Sequence, residues 1–460
     1  MSVEQVLSRI DNDLDASLER LFELVRIKSI SADPAYKDDC RHAAIWCAEQ
    51  LTEVGIQASV RKTIGHPMVV GHYDGAGPGA PHILFYGHYD VQPVDPLDLW
   101  QSDPFDPKII EVAGEKRIFG RGSSDDKGQL MTFVEAARAW QAESGALPVN
   151  LTVLFEGEEE SSSPSMIPFL NEAGDELKAD VAFVCDTNMW DRTTPAIATM
   201  LRGLLYEEVI VRAASHDLHS GYYGNAARNP IHLLAKIIAD LRDDTGRITL
   251  PGFYDGVPDL PAELKAQWDE LGFDEKAFYD EIGLSIPAGE QGYSTLEQIW
   301  SRPTMEVNGI VGGYTGEGAK TVIPAEASAK ISFRLVGEQD PEAIRKAFRA
   351  FVAERIPADC SAEFLDHGGE GAVSQPTDSR WVQTARAALS AEWDKEAMLI
   401  AMGGSIPIVT QFKKHLGMDT VLVGFALEDD RIHSPNEKYN LTSFHGGIRS
   451  WARILAALAG

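Results

Sequence analysis

Cysteine is scarce in this chain of 460 residues: Cys40, Cys47, Cys185 and Cys360 are scattered and form no C-x-x-C pair. That argues against a zinc knuckle or a dithiol redox site and points to a reducing compartment, the cytoplasm. Basic blocks are missing as well. The 41 Lys and Arg face 70 Asp and Glu, a formal net charge of -29, so nucleic acid and anionic membrane surfaces are poor partners. No apolar run approaches the roughly 18 residues of a membrane span. Glu4, Arg9 and Asp11 stand where a signal peptide would carry a basic region and an apolar core, so none is expected. Repeats and low-complexity tracts are also lacking. With 44% hydrophobic and 24% charged residues, the composition is that of a globular protein long enough for two or three domain-sized cores.

What is present is periodic. Val6, Ile10, Leu14, Leu18, Leu21, Phe22 and Val25 recur at three- and four-residue steps and predict one amphipathic helix over 3–26, with a second over 38–54. A Gly/Pro turn then leads into His82-Ile83-Leu84-Phe85-Tyr86-Gly87-His88-Tyr89-Asp90. This apolar run reads as a buried strand that ends in an imidazole and a carboxylate two residues apart, hence on one side of the backbone. An isolated His-x-Asp pair is an ordinary feature of turns, but later strands give this one company. The strand over 149–155 ends in Glu156-Gly157-Glu158-Glu159-Glu160, that over 180–185 ends at Asp186, and that over 420–425 is followed by an acid-rich loop and His433. Gly120-Arg121-Gly122-Ser123-Ser124-Asp125-Asp126 turns into a helix through Leu130, Phe133, Val134, Ala137 and Trp140, where Asp125 would also suit a simple cap. Strands separated by helices predict an α/β sheet, and ligands of such sheets lie outside the carboxyl ends of the strands.

From roughly 204 to 376 the pattern changes. Residues 206–213 alternate like a half-exposed strand, 329–335 and 362–365 also read as strands, and Asn229-Pro230 and Asp340-Pro341 each open a helix with a capping residue before proline. Asp378 is expected to cap a helix over 379–393 that returns to the first unit. The middle segment therefore reads as an insertion into a discontinuous unit.

Two imidazoles and several carboxylates at strand ends (His88, Asp125, Glu159, Glu160, Asp186, His433) suit two divalent ions. Zinc is favoured by the nitrogen ligands, with manganese or cobalt as alternatives. Five side chains serve two ions if one carboxylate bridges them, and two ions roughly 3.5–4 Å apart are what many hydrolases use to activate one water and polarise the bond it attacks. Cations would also relieve the mutual repulsion of so many acids. Of two adjacent glutamates, one can hold metal while the other moves a proton.

The motifs Gly87-His88-Tyr89-Asp90-Val91-Gln92-Pro93, Trp100, Pro104-Phe105, Gly120 to Gly128 and Glu159-Glu160 resemble those of the dinuclear zinc metallopeptidases of the aminoacylase/carboxypeptidase/dipeptidase (M20) family. Leu218-His219-Ser220-Gly221, Gly318 to Pro324, Phe333-Arg334-Leu335, His367-Gly368-Gly369, Gly403 to Pro407 and His433 to Glu437 are similar to the cytosolic non-specific dipeptidase branch. The resemblance spans nearly the whole chain. It implies an α/β, mixed-sheet catalytic domain over 1–203 and 379–460, with an inserted ferredoxin-like α+β lid and dimerisation domain over 204–378. By the same resemblance His88 and Asp186 would bind one metal and Glu160 and His433 the other, with Asp125 as the bridge. Asp90 would orient His88, Glu159 would be the general base and acid, and the Asp125-Asp126 peptide would be cis. In the insertion, His219 would reach a partner subunit's site in a homodimer and stabilise the oxyanion. Arg334 would pair with the substrate carboxylate, and Thr321, His367 and Ser405 would help seat the substrate. The chain departs from the branch at Met402, where an acid usually precedes Gly-Gly-Ser-Ile-Pro, and at Asn225, where a second glycine is common after Tyr223-Gly224.

The expected activity is hydrolysis of the amide bond of a dipeptide or similarly small carboxylate-bearing substrate. The alternatives are an N-acyl-amino-acid amidohydrolase or carboxypeptidase and, more distantly, a non-catalytic metal-stabilised binding protein, which would have no need of Glu159.

Overall fold

The structure, a computed structural model, describes residues 2–460. The described chain divides into two compact units, one of residues 2–199, 375–400 and 411–460, the other of 200–374 and 401–410.

The first unit is built on a mixed sheet. Gln57–Arg61, Met68–Tyr73, Asn150–Glu156, His82–His88, Val181–Val184, Thr420–Val423 and Ala196–Leu201 follow one another across it. The four strands from Asn150–Glu156 to Thr420–Val423 run parallel, and their flanking neighbours are antiparallel. Strands buried on both faces read as continuous apolar runs, which is why His82–His88 and Val181–Val184 carry so little polar alternation. One face is covered by helices Lys127–Ser144 and Leu441–Ala459, which pack on each other. Between them and the sheet, the Trp451 ring meets Phe85, Phe133 and Phe183 edge-on at centroid distances of 5.2, 5.6 and 5.8 Å. Trp451→Ala removes the hub of this aromatic cluster and should cost about 3–5 kcal/mol of unfolding free energy, read from urea denaturation.

The amino-terminal segment is two helices, Val3–Asn12 and Leu14–Arg26, where the periodicity predicts one. The apolar stripe runs through both, but Asp13 leaves helical geometry (φ -98°, ψ 7°). Asn and Asp side by side favour such a break because their side chains compete for nearby backbone groups. Likewise Ser379, and not Asp378, caps helix Arg380–Trp393, its hydroxyl accepting from the Trp381 N–H.

In the second unit, strands Thr304–Gly312, Glu326–Leu335, Gly203–Arg212 and Ser361–Glu370 form an antiparallel sheet in that spatial order. With helices Pro230–Asp240 and Pro341–Ala353 in the connections, this is a ferredoxin-like arrangement. Asn229 and Asp340 cap those helices through the N–H groups of Ile231 and Glu342, each 2.9 Å away. Leu205, Val209, Val211, Ile331 and Phe333 face the helices and pack with Leu234, Ile237 and Phe348. Period-two alternation leaves Leu204, Tyr206, Ser332 and Arg334 on the other face, half-buried. Among the described residues no helix is long and apolar enough to cross a membrane.

Candidate metal centre

Every polar side chain singled out in the first unit sits at or just beyond the carboxyl end of one of the four parallel strands, or in the loop before helix Lys127–Ser144. His88 is the last residue of its strand, and Glu159 and Glu160 follow Asn150–Glu156. Asp186 lies two residues past Val181–Val184, and His433 ten past Thr420–Val423. Asp125 precedes Lys127–Ser144 without capping it, since no side chain serves that cap. The Asp125–Asp126 peptide is cis.

These residues form two overlapping groups. Ligand atoms of His88, Asp125 and Asp186 lie within 4.8 Å of one another, and so do those of Asp125, Glu160 and His433. The His88 Nε2 is 3.1 Å from one Asp125 oxygen, and the His433 Nε2 is 2.9 Å from the other and 3.1 Å from Glu160. Asp125 is common to both groups, so this mixture of two imidazoles and three carboxylates fits two cations with one bridging acid. Glu159 belongs to neither group.

The framework holding these groups is longer than the motifs alone suggest. Asp90 takes the His88 Nδ1 at its backbone oxygen (3.2 Å) and carboxylate (3.4 Å), which turns Nε2 toward Asp125. Its carboxylate also accepts the N–H groups of Glu159 (3.3 Å) and Glu160 (3.1 Å) and the Ser31 hydroxyl. One buried acid therefore aims the histidine and fixes the backbone of both glutamates. Gln92 donates to the Glu160 carboxylate at 2.7 Å. Glu437 accepts the N–H groups of Gly122 (2.9 Å), Ser124 (2.9 Å) and Asp125 (3.1 Å) and pairs with Arg121 at 2.7 Å. Gly87 is needed for close approach: a Cβ there would come within 2.9 Å of the Asp126 carboxylate that accepts the His88 N–H. His433 has φ +62°, a left-handed conformation that is costly for a histidine and persists only where the surroundings impose it.

Without a cation, the charges are in conflict. Burial would lower the His88 pKa, but hydrogen bonds to Asp125 and Asp90 hold it well above the usual value. His433, bonded to Asp125 and Glu160, is raised to about 10. Burial would raise Asp125, yet the two imidazoles keep it well below the carboxylate range. Burial pushes Glu159 up to about 7 and Asp186 well above its usual value, with neighbouring acids adding to both shifts.

The remaining candidates lie in the second unit. His219 is exposed, its Nδ1 accepting from the Gly221 N–H at 3.0 Å. It pairs with Val322 in a two-residue ladder, and the Thr321 carbonyl accepts the Ser220 N–H, so His219 and Thr321 are brought together. His367 stands 3.4 Å from Glu208 and beside the Tyr206 ring, on the sheet face that carries Arg334. Ser405 is half-buried in the loop after Met398–Met402. Asn225 adopts φ +64°, which Asn tolerates better than most residues and which explains how it stands where glycine is common. Sequence reasoning assigned no role to Ser31, Gln92 or Glu437. Gln92 and Glu437 lie in the quoted motifs, but no sequence signal gives them partners 68 and 312 residues away.

A parallel-centred sheet whose strands end in two overlapping imidazole–carboxylate groups, with a spare glutamate beside them, defines a metal-dependent hydrolase. The chain belongs to peptidase family M20/M25/M40, whose model matches residues 84–457. It is a metallopeptidase, and the family implies use of divalent metal. Among similar proteins is the Cys-Gly metallodipeptidase dug1 of Schizosaccharomyces pombe, 30% identical over 475 residues, covering 100% of this chain and 99% of that protein. The Beta-Ala-His dipeptidase of Homo sapiens is 28% identical over 475 residues, covering 99% and 93%. Among solved structures, the di-peptidase Dug1p of Saccharomyces cerevisiae matches with a TM-score of 0.82 and 26% identity, over 100% of this chain and 98% of that one. The M20 metallo-carboxypeptidase Sso-CP2 of Sulfolobus solfataricus matches with a TM-score of 0.83 and 31% identity, over 96% and 99%.

Proposed function

We propose that this protein hydrolyses the peptide bond of dipeptides and similarly small substrates with a free carboxylate. The observation that carries the reading is Glu159: a half-buried carboxylate beside both ligand groups, part of neither, with its pKa raised to about 7. A purely structural metal site has no use for it. In this reading His88 and Asp186 hold one ion, Glu160 and His433 the other, and Asp125 bridges. The pair of ions, zinc in first place with manganese or cobalt as alternatives, supplies activation of water and polarisation of the scissile carbonyl. Glu159 takes the proton of the attacking water and returns it to the leaving nitrogen. Arg334 pairs with the substrate carboxylate, while Thr321, His367 and Ser405 seat the rest. His219 donates to the developing oxyanion in the site of a partner subunit, which makes the active form a homodimer. The dipeptidase names of the relatives support this choice of substrate. The four free cysteines support a cytoplasmic location.

A second reading, hydrolysis of N-acyl amino acids or carboxypeptidase action, is favoured by Met402, half-buried and uncharged where the dipeptidase motif has an acid, and by the likeness to a metallo-carboxypeptidase. Metal analysis of the purified protein combined with a panel of dipeptides, N-acyl amino acids and longer peptides tests both. Metal-dependent release of amino acids from unblocked dipeptides is the expected result. Turnover of the blocked analogues alone would replace the first reading with the second, and a protein that binds no divalent metal would overturn both.

Asp90 provides a sharper check on the framework. Asp90→Ala frees the His88 ring and the Glu159–Glu160 backbone together and should weaken metal binding by about 10–100-fold, measured by competition with a chromophoric chelator.

A further inference from the structure

We propose that Arg202 is a second guanidinium of the substrate-carboxylate seat, working beside Arg334 and tying that seat to the loop that carries Ser405. The inference rests on the reading of Arg334 as the carboxylate partner and extends it to a residue that no motif marks. Arg334 lies across the ladder from Leu204, and Arg202 stands two residues before Leu204, just ahead of strand Gly203–Arg212. The two-residue period returns it to the same face of the sheet.

Both arginines line one cleft of about 560 Å³, together with Thr304, Asn308 and Ser332. Arg302, in the same cleft, is already committed: it pairs with Glu290 at 2.8 Å and lies over the Tyr293 ring. Arg202 and Arg334 are both half-buried, and neither has a carboxylate within the 4 Å of an ion pair among the described residues. Glu306 acts on Arg202 only through space.

The loop fixes how Arg202 is held. Its Nε donates to the Gly403 carbonyl at 2.9 Å, and its backbone N–H to the Gly404 carbonyl at 3.1 Å. A Cβ at Gly403 would lie 2.9 Å from the Arg202 Nη2 and 3.1 Å from the Ile299 carbonyl oxygen, so a side chain there would shift the guanidinium. Burial, and then the neighbouring charge of Arg334, lower the Arg202 pKa to about 10. Two adjacent guanidiniums withdrawn from water without an anion are costly, and a planar carboxylate that accepts from both forks removes that cost. The ligand is thus the free carboxylate of the residue on the leaving side of the cleaved bond, and its position is set relative to Ser405.

The test compares a dipeptide with its C-terminal carboxamide, using the metal-loaded protein and the variants Arg202→Met, Arg202→Lys and Arg334→Met. Arg202→Met should raise KM for the free acid by about 10-fold or more, as expected for losing hydrogen bonds to a charged group, with kcat changed far less. The carboxamide should be nearly unaffected. Arg202→Lys, which keeps the charge but not the fork, should show a smaller loss, again confined to the free acid, and it serves if the methionine variant does not fold. Equal losses on acid and amide would mean that Arg202 only supports the loop, and would overturn the proposal. The Arg334 variant separates the two layers of the inference. If Arg334→Met removes the preference for the free acid and the Arg202 variants do not, the Arg202 proposal alone fails. If Arg334→Met leaves the preference intact, the carboxylate seat itself is wrong.

Discussion

Glu159→Gln should lower kcat by about 10²–10⁴-fold, the usual contribution of a positioned general acid–base, while the protein still binds two divalent ions. Glutamine keeps the shape of the side chain but cannot take a proton. The Glu159 tie to the framework is its backbone N–H on Asp90, which the substitution leaves in place. Since Glu159 is in neither ligand group, metal content read by elemental analysis should be unchanged. Two outcomes would sink the assignment in different ways. Wild-type turnover would show that the proton moves elsewhere. Loss of a metal would show that Glu159 is a ligand, leaving the general base to be found among the other acids of the site.

The second large effect concerns metal removal and its dependence on pH. In the metal-free chain the folded state holds protons that the unfolded state gives up. Glu156 and Glu159 titrate at about 7, and Asp126 and Asp186 well above the ordinary range, chiefly because of burial. A carboxyl whose folded pKa is raised costs stability as pH climbs from its unfolded value, near 4, toward its folded one. His433, raised to about 10, and His88, also raised, act in the same direction from about 6.5 upward, because their stabilising charge is lost as pH rises through the folded value. Asp125, which is lowered, titrates below this window. The metal-free protein should therefore lose stability steadily from about pH 5 to pH 9. Cations held by the two ligand groups would displace the protons of His88, Asp186 and His433, so they should bind more tightly as pH rises and release protons on binding. Each site held at 100 times its Kd adds about 2.7 kcal/mol. Calorimetric melting with a chelator and with added zinc, at several pH values across that range, should show a gap in Tm that widens with pH. A gap that narrows would mean that the buried acids are not the groups meeting the metal.

Much of the scaffold was legible because the physics is local. A buried parallel strand must be an apolar run, and a run that stops at His88, Glu156 or Asp186 announces both the strand and what it delivers. The caps at Asn229 and Asp340 were legible for the same reason: a capping oxygen followed by proline leaves the chain little choice. Asp13 and Ser379 were not, since either of two neighbouring polar residues can end or start a helix and packing decides between them. Least legible were the groups that hold the site in place. Nothing in the sequence joins Asp90 to the glutamate backbone, Gln92 to Glu160, or Arg202 to Gly403, because those partners meet only once the sheet has formed. The expectations for Arg334, His219, Thr321, His367 and Ser405 came from resemblance, which carries residue identities but no distances.

The grip of Glu437 on the Asp125 loop also sets a timetable. Those two residues are 312 positions apart, so at a synthesis rate of 5–20 residues per second roughly 15–60 s pass between the making of the loop and the arrival of the carboxylate that holds it. His433 arrives only just before. For most of that interval the nascent chain carries four of the five candidate ligands, His88, Asp125, Glu160 and Asp186, and lacks His433, so the second of the two ligand groups is completed only once synthesis has passed residue 433. A growing chain surrounded by short peptides has no working hydrolase at its emerging end.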